Sequence, residues 1–249
     1  MLRAAPYTCG CGPSRFRRND IPKSGQVAAR MRDVQQLMDA LGVTRALLVG
    51  QDWGAATAQA LAMLHPERVE RLVLLNGHGL FNMAVFAQGK LPSWQTIHAG
   101  WYQWLFATPI GRPLLEADRE GLARYLWGRW SPGWDYPPED LEAVLQSIRN
   151  PDWIAVAISA YQQWQSDPSA DPADADASAK LAATPPIHRP TLNIQGARDT
   201  VDLPADTHLG QEAFYRGGLE SVLLEGCGHF LHRERPDAVA QLILDFFRR

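Results

Sequence analysis

The sequence predicts an α/β fold: a mostly parallel sheet flanked by helices, with a block of helices inserted into it. Three observations carry this. Short apolar runs alternate with amphipathic stretches before residue 80 and after residue 185, the pattern of strands joined by crossover helices. Between those limits the short runs vanish, helix-period patterns replace them, and eight of the nine tryptophans appear. Finally, Asp52, Asp199 and His229 each follow a predicted strand, where parallel sheets collect their reactive groups.

Taken in order, residues 2–7 read as the tail of a strand, and 8–23 as turns rich in Gly, Pro, Asn and Asp. Ser24 opens a helix whose Val27, Met31, Val34, Met38 and Leu41 share one face, and Gly42 ends it. Residues 46–50 form a buried strand. A small-residue helix follows and stops at His65-Pro66, because proline lacks the N–H donor and its ring clashes with the preceding turn. Residues 72–75 form another buried strand. Helices are expected at 93–107, 113–127, 138–148 and 151–165, then a Pro/Asp/Ala loop at 167–179. Strand 191–195, a short helix at 209–216, strand 221–224 and a closing helix at 236–247 complete the core. The expected division is 1–79 for the first part of the core, 80–185 for a helical cap and 186–249 for the second part. Aromatic residues of the cap, among them Trp101, Tyr102, Trp104, Tyr161 and Trp164, suit the wall of a small-molecule pocket.

Gly50-Gln51-Asp52-Trp53-Gly54 is the organising stretch. A strand ends, a carboxylate sits between two glycines, and a helix begins. This has the form of a nucleophile elbow, with Asp52 at the position of the nucleophile and side chains at Gly50 and Gly54 expected to block the close approach of strand and helix. An aspartate there is also an ordinary helix N-cap. The downstream acid and histidine, in the order nucleophile, acid, base, favour the elbow.

Composition narrows the function. A net charge of −3 gives no case for nucleic acid or an anionic membrane surface. No apolar run is long enough to span a bilayer, and the first dozen residues lack the apolar segment of a secretory signal. Three cysteines, Cys9, Cys11 and Cys227, suit a reduced, cytoplasmic protein and are too few for a zinc site without histidines. His65 reads as structural, and His98, His188, His208 and His232 show no partner pattern. His78 follows a strand and could line the pocket. Asn76 ends a strand but, as an amide, cannot be the acid that orients a base. Cys227 stands close enough to His229 to line the site or simply pack.

On VGQDWGAATAQALAMLHPERVERLVLLNG, PTLNIQGARDTVDLP and GCGHFLHRERPDAVAQLILDFF, the chain resembles the α/β-hydrolase superfamily, in its epoxide hydrolase and haloalkane dehalogenase branch. The resemblance implies Asp52 as nucleophile, His229 as base and Asp199 as the acid that orients it. The backbone N–H of Trp53 would stabilise the oxyanion. No cofactor or metal is required. The substrate would be a small hydrophobic epoxide or alkyl halide, attacked by a carboxylate at saturated carbon. Tyr102 matches the first of the two cap tyrosines that protonate an epoxide oxygen in such enzymes, and Tyr161 is the candidate for the second. Having both favours an epoxide over a halide. Trp53 does not discriminate, since both branches carry it.

The resemblance also implies three strands and an oxyanion loop ahead of residue 2, which have no counterpart in these residues. Strand 46–50 should then carry an unpaired edge, and the oxyanion hole should lack one donor, a loss of about 100- to 1,000-fold in rate. A poorly soluble or impaired fragment is thus an alternative to an active enzyme, and a binding protein without chemistry is another. The loop at 8–13 departs from the family pattern at Cys9 and Cys11.

Overall fold

A computed structural model describes residues 3–77, 80, 82–165, 171–207 and 211–249. Helix α1 spans Val27–Ala40, then come β1 (Ala46–Gln51), α2 (Trp53–Leu64) and β2 (Val69–Leu75). Helices α3 (Asn82–Ala87), α4 (Trp94–Ala99), α5 (Trp101–Phe106), α6 (Gly111–Trp130), α7 (Pro138–Ile148), α8 (Trp153–Gln165) and α9 (Ala175–Ala182) separate β2 from β3 (Thr191–Gly196). The chain closes with α10 (Pro204–Thr207), β4 (Leu219–Leu224), α11 (Leu231–Glu234) and α12 (Pro236–Arg248).

The four strands lie in sequence order and are all parallel. In register, Leu48 faces Leu72, Leu74 faces Asn193 and Ile194 faces Val222. Alternation along β2 divides the core. Leu72 and Leu74 join α1 and α2 on one face, while Val73 and Leu75 join Leu192, Ile194 and α12 on the other. Strand β3 is buried throughout. By contrast β1 is only partly buried, and Val49 is 47% exposed. The expected buried strand is therefore an edge strand, since among the described residues it pairs with β2 alone. No strand forms at residues 3–7. That segment instead leads into turns tied to the inserted helices, where Asn150 Nδ2 donates to the carbonyls of Gly12 and Ser14.

Helix α1 starts three residues later than expected and buries Val27, Met31 and Met38. Leu41 ends it as an exposed cap rather than a core residue, before Gly42 turns away at φ +65°. The expected helix 93–107 breaks at Gly100 into α4 and α5. Helix α6 is longer than expected and kinks at Asp118, whose carboxylate accepts from the Gly121 N–H and caps the second half. The expected loop 167–179 gives way at Ala175 to α9, which packs against α1 and α2. The helix expected at 209–216 is a single 3-10 turn at Glu212–Phe214 among the described residues. His78 and His208 lie outside the described residues. No described helix is long and apolar enough to cross a membrane.

Candidate active site

All four strands deliver a polar residue to the same end of the sheet. Asp52 follows β1 in a left-handed conformation, φ +50°. For a non-glycine residue this costs on the order of 1–3 kcal/mol and needs surrounding structure to hold it. Its N–H donates to the Leu75 carbonyl, and its own carbonyl accepts from Ala55 and Ala56 at the start of α2. The carboxylate makes no capping bond. It points instead to His229, with Oδ2 3.4 Å from Nε2, so the N-cap reading does not describe its side chain. A Cβ on Gly50 would stand 2.3 Å from the Gly54 carbonyl oxygen, so that glycine is required by the close approach. The same expectation for Gly54 is wrong, because a Cβ there meets nothing within 4 Å. The second tight approach is Gly77, where a Cβ would fall 2.0 Å from that of Ala55.

His229 is fully buried in the loop after β4. Its Nδ1 lies 3.0 Å from Asp199 Oδ2. The loop itself is pinned from several sides. The Gly228 N–H donates to the Glu234 carboxylate, the His229 N–H to the Trp130 carbonyl, and the Phe230 N–H to Ser131 Oγ. Asn76, at the end of β2, donates from Nδ2 to the carbonyls of Gly228 and His229 and accepts from the Gly196 N–H through Oδ1. The Gln51 amide donates to the His229 carbonyl and lies 3.1 Å from the ring Nε2. Burial opposes charge on the imidazole, yet Asp199 and Asp52 outweigh it and hold its pKa well above the ordinary histidine value. Asp199 is buried after β3, where Oδ1 accepts from the N–H groups of Val201 and Asp202.

A cavity of about 500 Å³ opens over Asp52. Trp53, Tyr102, Tyr161, Trp164, Phe86 and Ile97 form much of its wall. The Tyr102 and Tyr161 rings meet edge to face at 5.7 Å. Burial, then the neighbouring phenol and Asp52, push Tyr102 well above its ordinary pKa. Burial and Asp52 push Tyr161 up as well. Both phenols therefore keep their protons at neutral pH. Trp53 stacks on Trp164 at 4.6 Å, and its Nε1–H donates to the Tyr161 oxygen at 3.4 Å.

The structure thus brings Asp52 and Asp199 to opposite nitrogens of the His229 ring, at 3.4 Å and 3.0 Å, and places Trp53, Tyr102 and Tyr161 in the cavity wall above. Chemically, the arrangement offers a carboxylate, an imidazole held by a buried acid, and two protonated phenols facing one cavity. Cys227 packs in the core under β2 and β3 rather than lining the cavity. Sequence reasoning missed Gln51, Asn76 as a clamp on the histidine loop, and Asp202 in the cavity wall. Only the third left a signal, a second acid three residues after Asp199.

Residues 8–236 match the model of the alpha/beta hydrolase fold family. The chain belongs to that family. Within this hydrolase family, it is similar to a solved structure of a candidate epoxide hydrolase from Klebsiella pneumoniae subsp. pneumoniae MGH 78578. That similarity is 33% identity over 98% of this chain and 80% of the other, with a TM-score of 0.86. Epoxide hydrolase 3 of Mus musculus is 26% identical over 87% of this chain and 55% of its own length. The 2-hydroxy-6-oxo-6-phenylhexa-2,4-dienoate hydrolase of Comamonas testosteroni is 28% identical over 94% of this chain and 74% of its own. This hydrolase-fold chain spans just over half the length of the mouse and human epoxide hydrolases it matches.

Proposed function

We propose that this hydrolase-fold chain opens a small hydrophobic epoxide to a diol through an ester of Asp52, with residues 80–185 as the cap over the site. The observation that carries the reading is the run Asp52–His229–Asp199 beneath a cavity walled by Tyr102 and Tyr161. An Asp52 oxygen attacks an epoxide carbon while the C–O bond breaks, and the oxygen takes a proton from one of the two phenols. His229 then removes a proton from water, which adds to the ester carbonyl. Asp199 steadies the imidazolium. The Trp53 N–H, in the first turn of α2 where helical N–H groups lack an internal acceptor, donates to the oxyanion. Collapse expels the diol with a proton returned by His229, and the proton released with the regenerated carboxylate restores the tyrosine.

Ester formation also removes the Asp52 charge, one of the two that hold His229 protonated. Its pKa falls, so more of the imidazole is in the neutral form that can accept a proton from water at the step that needs it. The Trp53 indole supports the epoxide over the halide reading. Its N–H is engaged by Tyr161, so it supports a proton donor rather than standing free for a leaving halide.

The test is intact-mass analysis of His229→Gln after exposure to a panel of epoxides and haloalkanes, with circular dichroism as the folding check. Expected is a stable adduct from an epoxide, mapped to Asp52 and absent in Asp52→Asn. Adducts from haloalkanes alone would move the reading to hydrolytic dehalogenation. No adduct on a folded chain would overturn both.

A further inference from the structure

Asp202 is a carboxyl that the chemistry above does not use. The turn Asp199–Asp202 wraps back on itself. The Asp202 N–H donates to Asp199 Oδ1, and the Asp202 carbonyl accepts from Gln195 Nε2, which also approaches Asp199 Oδ2 at 3.4 Å. Asp202 lines the cavity that also contains Asp52, Tyr102 and Tyr161. Ligating atoms of Asp199, Asp202 and His229 all lie within 4.8 Å of one another. Asp199 and His229 use theirs on each other. Among the described residues, the Asp202 carboxyl makes no side-chain hydrogen bond or ion pair, although the residue is largely shielded from solvent. A half-buried carboxyl without a protein partner is costly unless something else satisfies it, and water does so where the site is polar and roomy enough.

We propose that Asp202 holds the water that attacks the Asp52 ester. This rests on the ester mechanism above. The water must sit between the His229 ring and the Asp52 carboxyl carbon, and Asp202 lines the same cavity as Asp52 with a carboxylate oxygen within 4.8 Å of a His229 ring nitrogen. The groups around it are Asp199 and His229 from the loops after β3 and β4, Asp52 from the elbow, and the two phenols of the inserted helices across the cavity. Burial first, then the charge of Asp199, push its pKa up to about 8, with the His229 cation opposing and Asp52 adding to the rise. At neutral pH the carboxyl carries a proton, so it offers the water both a donor and an acceptor without adding a third negative charge beside His229. Above about pH 8 it ionises, and the imidazole is held protonated more strongly.

Single-turnover mass analysis separates the two half-reactions, using whichever epoxide the His229→Gln variant captures. In Asp202→Leu, ester formation should stay within about twofold of wild type, while ester decay slows about tenfold, the effect of one lost hydrogen bond to a reacting group. The ester then accumulates with His229 intact, which a merely structural residue would not cause. Asp202→Asn keeps a donor and an acceptor but cannot ionise. It should decay at close to the wild-type rate at pH 7 and lack the inflection near pH 8 that wild type shows. Unchanged decay in Asp202→Leu, or equal slowing of formation and decay, overturns the proposal. If the leucine variant does not fold, an inflection that persists in Asp202→Asn overturns it. An absent ester in His229→Gln removes the ester mechanism itself, and this inference with it.

Discussion

Asn76 concentrates at one residue what the site asks of the sheet. It sits buried at φ +47°, a conformation asparagine tolerates better than most residues. From there one amide bridges the ends of two loops, donating to the His229 loop and accepting from the end of β3. Asn76→Ala leaves two carbonyls and the Gly196 N–H without this partner in the interior. The expected cost is about 2–4 kcal/mol, or about 5–10 °C in Tm for a chain of this size. On the proposed mechanism, ester formation needs Asp52 but not a precisely held imidazole, and it should be much less affected than ester hydrolysis. A melting point within 2 °C of wild type would sink this account. The sequence contained the residue but not its role. As the amide after a strand it could only be excluded as an acid, because its function lies in three backbone partners more than 100 positions away.

At the level of elements, what could be read locally was read well. The expected helix 138–148 and closing helix 236–247 lie where their apolar periodicity places them, because each packs one clear stripe: Leu141, Leu145 and Ile148 in the first, Val239 and Phe246 in the second. Asp52, Asp199 and His229 were legible because each stands in the loop that follows a strand, and parallel strands end together. Elements decided by distant partners were not legible. Helix α9 hides in a run of Asp, Pro and Ala that looks like a loop. Asp171 caps the preceding turn, and the buried Asp174 is anchored by Arg32 of α1 at 2.7 Å. The elbow glycines show the same division. Motif logic treats Gly50 and Gly54 alike, whereas the geometry does not. Gly50→Ala drives a Cβ into the backbone of α2 and should cost about 3 kcal/mol. Gly54→Ala enters open space in the first turn of a helix and should be neutral or stabilise by up to ~1 kcal/mol. Urea unfolding of the two variants checks this, and equal destabilisation would show that the motif, not the contact, governs both positions.

For the whole molecule, the sheet leaves two edges unpaired among the described residues, β1 and β4. They are not equivalent. Strand β4 carries Glu220, held by Arg249 at 2.8 Å. Strand β1 reads Ala-Leu-Leu-Val-Gly-Gln, with no charge anywhere, and exposes nearly half of Val49. An uncharged apolar edge is a template for pairing with another chain, and charge at an edge is the usual protection. This chain should therefore associate with rising concentration through β1. Val49→Lys should raise the concentration at which light scattering begins, since its charge would be carried into any strand pair formed there. Leu223→Lys, a comparable substitution at an exposed position on β4, should change it much less, although it adds the same charge to the molecule. Equal protection by the two variants would mean that net charge alone controls solubility. No protection by either would place the association on a surface other than the sheet edges, with the helices around the cavity next to be tested.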